Sequence, residues 1–178
     1  MVRKAQVMDE AAVSRALARI THEIIERNRG VDNLCILGVR RRGVPLAQTL
    51  CENICKFEGK TVPAGVLDVT MHRDDLHLEE KQAALVGSEI PFDVTDKDVL
   101  IVDDVMYTGR TARAAIETVF SFGRPRSVQL VTLVDRGHRE LPIRPDYVGK
   151  NLPTAKTEVV TVLTRCIDGE TAVYICDQ

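Results

Sequence analysis

Two adjacent acids, Asp103 and Asp104, stand at the end of the apolar run Val99–Val102. A run of this length is typical of a strand buried inside a sheet, so the acids are placed at the carboxyl end of that strand. Ionised carboxylates accept hydrogen bonds from more than one donor, which suits the neighbouring hydroxyls of a ribose. The pair therefore predicts a clamp for a sugar diol.

The turn Thr108–Thr111 follows the acids and leads into a helix. Its backbone N–H groups, its two hydroxyls and the positive end of the helix together suit a phosphate monoester. Gly109 lets the backbone approach that anion closely. Two acids alone would favour a simpler interpretation, a turn with a helix cap. The whole pattern from Val99 to Thr111 instead predicts a ribose-5-phosphate site.

Two other phosphate-binding motifs are excluded. Gly59, Lys60 and Thr61 resemble the end of a P-loop, but Ile54 occupies the position where that motif requires its first glycine. No GxGxxG stretch occurs anywhere in the chain, which excludes the usual dinucleotide-binding loop.

Apolar strands alternate with amphipathic helices along the chain, and this order predicts an α/β domain with a parallel sheet covered on both faces. Ligands of such sheets bind at the carboxyl ends of the strands. The long polar stretch 72–91 is typical of a functional lid. The patterns predict helices from Asp9 to Gly30, from Pro45 to Phe57 and from Thr111 to Gly123, and strands over Leu34–Val39, Val62–Met71, Val99–Val102, Ser127–Val134, Glu158–Arg165 and Thr171–Cys176.

Composition narrows the classes of function. The chain has 178 residues, and 24 Lys and Arg against 26 Asp and Glu give a net charge of −2, so composition alone does not indicate a nucleic-acid partner. The five cysteines lack CxxC spacing and are predicted to be buried free thiols of a reducing, cytoplasmic protein. No apolar run approaches the ~18 residues of a membrane span, and the charged start is not expected to be a signal peptide.

The segment Val99–Thr111 closely resembles the 5-phosphoribosyl-1-diphosphate (PRPP) signature of type I phosphoribosyltransferases. Gly38–Ala47, Leu67–Leu76 and Val134–Thr154 are similar to the members of that family that are both pyrimidine-operon attenuators and uracil phosphoribosyltransferases. The resemblance runs nearly end to end. His72 and Arg41 depart from it, standing where tyrosine and threonine are common in the family.

The resemblance implies one domain with the type I phosphoribosyltransferase fold, a central and mostly parallel sheet flanked by helices. It also implies a lid over about 72–91 and a small hood built from about 135–178 with the N-terminal segment. A purine or orotate phosphoribosyltransferase without RNA binding is the alternative, because such enzymes share the PRPP loop and differ in the hood.

The activity implied by the resemblance is the reaction of uracil with PRPP to give UMP and diphosphate, with Mg²⁺ bound mainly through PRPP rather than by protein ligands. Asp104, Asp103 and Arg73 are the implied catalytic residues, and Arg136 and Val160 are implied to frame uracil or UMP. PRPP binding is implied for Arg40, Arg41, Val99, Leu100, Ile101, Val102, Asp103, Asp104, Val105, Met106, Tyr107, Thr108, Gly109, Arg110 and Thr111.

A second implied activity is binding of pyrimidine-operon leader mRNA in response to UMP or UTP, by a chain that self-associates as a dimer or a higher homo-oligomer. Contacts to RNA phosphates need a basic surface, which scattered residues must form in the fold. Aromatic residues are only 4% of the chain, so few platforms for base stacking are expected. The residues implied to bind RNA are Arg19, His22, Arg27, Arg139 and Arg144.

Overall fold

The computed structural model describes residues 2–69 and 87–177, and it contains two sheets. The strands are β1 (Val2–Met8), β2 (Leu34–Val39), β3 (Ala64–Leu67), β4 (Asp98–Met106), β5 (Ser127–Asp135), β6 (Tyr147–Asn151), β7 (Glu158–Leu163) and β8 (Ala172–Asp177). The helices are α1 (Glu10–Asn28), α2 (Gly43–Glu58), α3 (Arg110–Phe122) and α4 (Arg165–Asp168).

The main sheet has five strands in the order β3-β2-β4-β5-β6, and each neighbouring pair is parallel. Alternate residues of its central strands enter two hydrophobic clusters. Ile36 and Leu100 pack in the cluster that includes α1 and α2, whereas Leu37 and Ile101 pack in the one that includes α3. The predicted α/β class is therefore confirmed, with helices on both faces.

A smaller antiparallel sheet, here called the hood sheet, joins the two ends of the chain in the order β1-β8-β7. The sequence patterns did not predict β1. The resemblance implied a hood built from about 135–178 with the N-terminal segment. The hood sheet contains β1, β7 and β8, whereas Tyr147–Asn151 forms β6, which pairs with β5 at the edge of the main sheet.

Local sequence explains where the helices begin and end. The Asp9 side chain accepts a hydrogen bond from Ala12 N at 2.7 Å and caps α1, as predicted. The last residue of the helix is Asn28. Its C-cap residue, Arg29, has a left-handed backbone conformation and precedes the predicted stop at Gly30. At the start of α2, a Cβ on Gly43 would lie 2.2 Å from Val102 O, so only glycine allows this end of the helix to approach β4.

Several predicted boundaries move in the structure. β3 covers Ala64–Leu67 rather than Val62–Met71, of which 70–71 lie outside the described residues. β4 continues past the apolar run to Met106, because β5 supplies a parallel partner as far as Asp135.

Cys35 and Cys176 are buried as predicted, and burial raises the pKa of Cys35 to about 11. The prediction was wrong for Cys55 and Cys166, which are exposed free thiols. No helix in the described part of the chain is long and apolar enough to cross a membrane.

Candidate active site at the carboxyl edge of the main sheet

Asp103 and Asp104 lie on β4 at the carboxyl edge of the main sheet, next to β5. Each carboxylate accepts a hydrogen bond from the following backbone N–H, Asp104 N to Asp103 Oδ1 at 2.9 Å and Val105 N to Asp104 Oδ1 at 2.9 Å. These bonds fix the orientation of both side chains. Both residues are half-buried, and each carboxylate has a second oxygen that can accept from a ligand.

The turn before α3 combines hydroxyl groups with an open helix end. Gly109 adopts a left-handed conformation at φ 95°, and α3 has no side-chain hydrogen bond at its N-cap. Thr108 O accepts from the backbone N–H groups of Glu140 and Leu141, at 2.9 and 3.1 Å, which anchors the turn to the loop after β5. Arg110 N donates to Thr108 Oγ1 at 3.3 Å, and an anion can bind the other N–H groups of a helix's first turn.

The loop between β2 and α2 brings Arg40, Arg41 and Arg42 to the same edge of the sheet. Arg40 Nη2 donates to Gly87 O at 3.0 Å and approaches Glu89 Oε1 at 3.1 Å. Arg41 is exposed, and the peptide bond between Arg40 and Arg41 is cis. Arg40 also pairs with Asp68 at 3.5 Å and Arg42 with Asp168 at 2.9 Å, so two of the three guanidinium charges are already paired within the chain.

Burial raises the pKa of the Asp103 carboxyl well above its ordinary value, and the adjacent Asp104 charge raises it further. Asp103 borders a largely apolar cavity with Ile101, Met106 and Ala115, which explains the poor solvation of its charge. At pH values between the ordinary pKa of Asp103 in the unfolded chain and its raised pKa in the folded chain, the folded state binds more protons than the unfolded state. Its stability therefore falls as the pH rises through that window.

We expect Asp103→Asn to raise the melting temperature at pH 8, because the amide keeps the acceptor for Asp104 N without a poorly solvated charge. A gain of about 2–4 °C would correspond to ~1 kcal/mol for a domain of this size. The gain should shrink toward pH 3, where the carboxyl is protonated in both states. Asp93→Asn is the control, because the Thr95 backbone N–H lowers the pKa of Asp93. A Tm of Asp103→Asn at or below wild type at pH 8 would contradict the expectation.

Arg136 lies at the end of β5, where its guanidinium connects the main sheet to the start of β7. It is buried and donates to Thr154 Oγ1 at 3.1 Å, Ala155 O at 3.2 Å and Glu158 O at 2.7 Å. Its Cζ also lies 4.1 Å from the centre of the Tyr107 ring. Most donors of Arg136 are thus used within the chain, and the Val160 side chain is buried in a core cluster. A base could contact these two residues mainly through the backbone that they position.

The loop after β5 contributes a polar cluster that the sequence did not indicate. Arg139 forms an ion pair with Asp135 and donates to Tyr107 O at 2.8 Å and Ile143 O at 2.9 Å. The His138 ring meets the Tyr107 ring edge-on, with centroids 6.0 Å apart. The structure therefore places Arg139 beside the PRPP signature, where its guanidinium is bound within the chain.

Three of the other residues implied to bind RNA, Arg19, His22 and Arg27, lie on α1. Arg19 donates to Val148 O at 2.9 Å and Gly149 O at 2.8 Å, so its guanidinium is bound to the backbone of β6. Arg27 pairs with Asp146 at 2.8 Å. His22 stacks on Phe57, with centroids 4.3 Å apart, and Arg144 is exposed. Arg19 and Arg27 thus contact the β6 segment and the residue before it, whereas His22 packs against α2.

The remaining predicted features fall partly or wholly outside the described residues. Arg73, His72 and most of the predicted lid over 72–91 lie in 70–86, of which the structure gives no description. The part of the lid that follows packs against β3, where Glu89 forms an antiparallel bridge with Val66. Within residues 2–69 and 87–177, no group of three or more His, Cys, Asp or Glu side chains could hold a metal ion.

The chain is similar to known proteins over almost its whole length. The model of the phosphoribosyl transferase domain matches residues 5–165. A protein of Acetivibrio thermocellus named "Bifunctional protein PyrR" is 56% identical over 177 residues, which is 99% of this chain and 96% of that protein. A protein of the same name from Brevibacillus brevis is 57% identical over 168 residues, 94% of each chain.

Solved structures agree on the fold. The hypoxanthine phosphoribosyltransferase of Trypanosoma cruzi superposes with a TM-score of 0.74 at 19% identity, over 98% of this chain and 97% of that one. The enzyme of the same name from Staphylococcus aureus gives a TM-score of 0.70 at 18% identity, over 97% and 92% of the two chains. At these identities the likeness establishes the fold, which is that of a type I phosphoribosyltransferase.

Proposed function

Because the chain belongs to the phosphoribosyl transferase family and, within it, to the bifunctional PyrR proteins, we propose that it transfers a phosphoribosyl group from PRPP to uracil. The bond from ribose C1 to the diphosphate oxygen breaks, the bond from C1 to uracil N1 forms, and the N1 proton is released. The products are UMP and diphosphate. The observation that carries the proposal is that the oriented carboxylates of Asp103 and Asp104 are followed at once by the turn before α3, whose N-cap residue is Gly109.

The proposed roles follow from this placement. Asp103 and Asp104 bind the two ribose hydroxyls, and the turn Thr108–Thr111 binds the 5-phosphate. Arg40 and Arg41 lie in the loop that receives the diphosphate, and Arg73, which lies outside the described residues, is the further residue proposed to stabilise it. The transition state develops positive charge on the ribose and negative charge on the leaving group. Positioning and charge stabilisation therefore suffice, and no covalent nucleophile is required.

The donor set also fits a magnesium ion that PRPP brings with it. Mg²⁺ keeps several waters and uses few protein ligands, and the two carboxylates of β4 are oxygen donors of the kind that it accepts. The ion would neutralise charge on the departing diphosphate. The ion would be held mainly through PRPP, with Asp103 and Asp104 as the oxygen donors that the chain can add, and Asp104 is the candidate acceptor for the proton of uracil N1.

The uracil subsite is proposed at the junction of β5 with the hood sheet. Arg136 ties that junction together through Thr154, Ala155 and Glu158. The amide edge of uracil carries one donor between two acceptors, and backbone groups near Arg136 and Val160 can complement it. The side chains of these two residues would then act by placing the backbone.

Release of diphosphate from PRPP, with uracil, hypoxanthine, guanine and orotate offered separately, tests the enzymatic proposal. Turnover with uracil supports it. A preference for a purine or for orotate would instead support the alternative, a phosphoribosyltransferase of another base, which the near full-length similarity to PyrR proteins does not favour.

The proposed second function is binding of pyrimidine-operon leader mRNA in response to UMP or UTP, in the cytoplasm. Arg19, His22 and Arg27 form the core of the binding surface, here called the α1 surface. Arg19 contacts Val148 and Gly149 of β6, and His22 stacks on Phe57 of α2. Arg27 contacts Asp146, two residues from the exposed Arg144. Self-association that joins two copies would double this basic area.

We expect Arg19→Ala/Arg27→Ala to weaken binding of the leader RNA by roughly tenfold or more while uracil turnover persists. Each lost phosphate contact should also flatten the dependence of log K on log salt by about 0.7–0.9. A salt series of RNA binding, recorded with and without UMP, measures both effects. UMP should strengthen RNA binding, and RNA must then strengthen UMP binding by the same factor.

The matched control is Arg113→Ala/Arg124→Ala, which removes two exposed positive charges on and just after α3. This variant should retain the wild-type salt slope. Equal RNA binding by wild type and the α1-surface variant would contradict the proposed RNA site, and so would an equal loss in the α3 control. Uracil turnover of all three proteins, measured in parallel, separates a binding defect from misfolding.

A further inference from the structure

Arg42 and Asp168 form an ion pair that connects two distant parts of the chain. Arg42 Nη2 donates to Asp168 Oδ1 at 2.9 Å, and Arg42 Nε donates to Asp168 Oδ2 at 3.3 Å. Two parallel hydrogen bonds of this kind fix the plane of the guanidinium as well as its distance. The side chains are 34% and 16% exposed, so the pair is only partly screened by water.

The Asp168 carboxylate is itself held in place. Asp168 Oδ2 also accepts a hydrogen bond from Thr164 N at 2.9 Å, across the short helix α4 between β7 and β8. Three donors thus share one carboxylate, and pairing with Arg42 lowers the pKa of Asp168, which keeps it ionised at neutral pH. The hood sheet is in this way fastened to the first turn of α2.

Arg42 also belongs to the candidate active site, because it lies in the loop that precedes α2. It is the N-cap residue of α2 and follows Arg40 and Arg41 in the loop proposed to receive diphosphate. The hydrogen bond with Asp168 is the main cause that raises the pKa of Arg42, and the Asp104 charge adds a smaller contribution. A guanidinium has five N–H donors, and the pair with Asp168 uses two of them. Three remain for a ligand.

We propose that Asp168 is a positioning residue, which holds Arg42 so that its remaining N–H groups bind the diphosphate of PRPP. The inference rests on the proposed phosphoribosyltransferase activity and names a residue outside the PRPP signature. An unpaired arginine would have to lose the rotamer freedom of its long side chain when the diphosphate arrives. The pair with Asp168 restricts that freedom before binding, and a positioned charge-assisted contact is stronger than a mobile one.

The test compares Asp168→Asn with wild type in two assays. The first is steady-state turnover with PRPP varied at saturating uracil, and the second is calorimetric binding of magnesium diphosphate and of UMP. We expect KM for PRPP and Kd for diphosphate each to rise about tenfold, the scale of one charge-assisted hydrogen bond. Kd for UMP should stay within about twofold, because UMP lacks the diphosphate.

The matched control is Glu170→Gln. It removes an ion pair of the same hood region, Arg3 with Glu170 at 2.7 Å, two residues further along the chain. Its kinetic constants and ligand affinities should equal those of wild type. Arg42→Gln and the double variant Arg42→Gln/Asp168→Asn complete a cycle. If Asp168 acts through Arg42, the double variant binds diphosphate no more than about twofold more weakly than Arg42→Gln alone.

Three results would overturn the inference. Diphosphate affinity unchanged in Asp168→Asn would mean that the pair only stabilises the fold, and equal weakening of UMP and diphosphate would mean that the hood has been disrupted. Additive losses in the double variant would show that Asp168 does not act through Arg42. Failure of the underlying activity is recognisable separately, because wild type would then neither bind diphosphate nor convert uracil.

Discussion

Uracil should support diphosphate release from PRPP with a kcat/KM about 10⁴-fold or more above that of hypoxanthine or guanine. A site whose buried polar groups hydrogen-bond one base edge rejects other bases, because those groups are left unpaired by them. The junction that we propose as the base subsite is stiff. Arg136 is 5% exposed and binds three positions of the segment before and at the start of β7. The junction cannot widen to accept the second ring of a purine without breaking these hydrogen bonds.

The measurement is initial rate against concentration for each base at fixed PRPP and Mg²⁺. Orotate provides a second comparison, since it keeps the pyrimidine ring and adds a carboxylate. Rates with hypoxanthine within about tenfold of those with uracil would contradict the selectivity and point to an open base subsite. The likeness of the fold to hypoxanthine phosphoribosyltransferases makes this comparison informative.

Elements with strong local patterns could be predicted from the sequence. All six residues of β2, Leu34–Val39, are buried, and a strand buried on both faces is a continuous apolar run that can be recognised without knowing its partners. α1 was equally clear, because Asp9 provides a cap and the buried positions recur at helical spacing.

Elements that depend on distant partners were missed. Most of β1 is exposed, and it is a strand because Val2–Met8 pairs with β8 at the opposite end of the chain. β6 has one buried residue, Tyr147, and takes its strand form from pairing with β5. Neither segment has a hydrophobic alternation that a local pattern could detect, since pairing rather than burial determines its conformation.

The candidate site likewise contains features that a local sequence pattern predicts and features that depend on contacts between distant residues. The PRPP signature is contiguous, so its acids and its turn could be identified together from the sequence. The pair of Arg42 with Asp168 and the contact of Arg139 with Tyr107 O join residues that only the fold brings together. Charge alone suggested that Arg19 and Arg139 could share one basic surface. The contacts instead place the Arg19 side chain of α1 against β6, and Arg139 beside Tyr107.

Asp103→Asn and Asp104→Asn should each lower kcat/KM for PRPP by about 10²-fold or more. An amide offers one acceptor oxygen where the carboxylate offers two charged ones, so the ribose hydroxyls are held less firmly. Misplacement of a reacting group by about 1 Å can cost that factor. Asp104→Asn should also alter the pH dependence of turnover if Asp104 accepts the proton of uracil N1. Initial rates across a PRPP series, from pH 6 to pH 9, measure both effects.

Asp98 supplies a matched control on the same strand, because it lies at the amino end of β4, opposite the candidate site. Its carboxylate pairs with Arg126 and accepts from Ser127 Oγ at 2.7 Å, and the pairing lowers its pKa. Asp98→Asn should therefore lower Tm at pH 7 by about 2–4 °C, or ~1 kcal/mol, and leave kcat/KM unchanged. Asp103→Asn should do the reverse, with a higher Tm and a large loss of activity. Unchanged kinetics in both Asp103→Asn and Asp104→Asn would instead assign the acids to the stability of the turn.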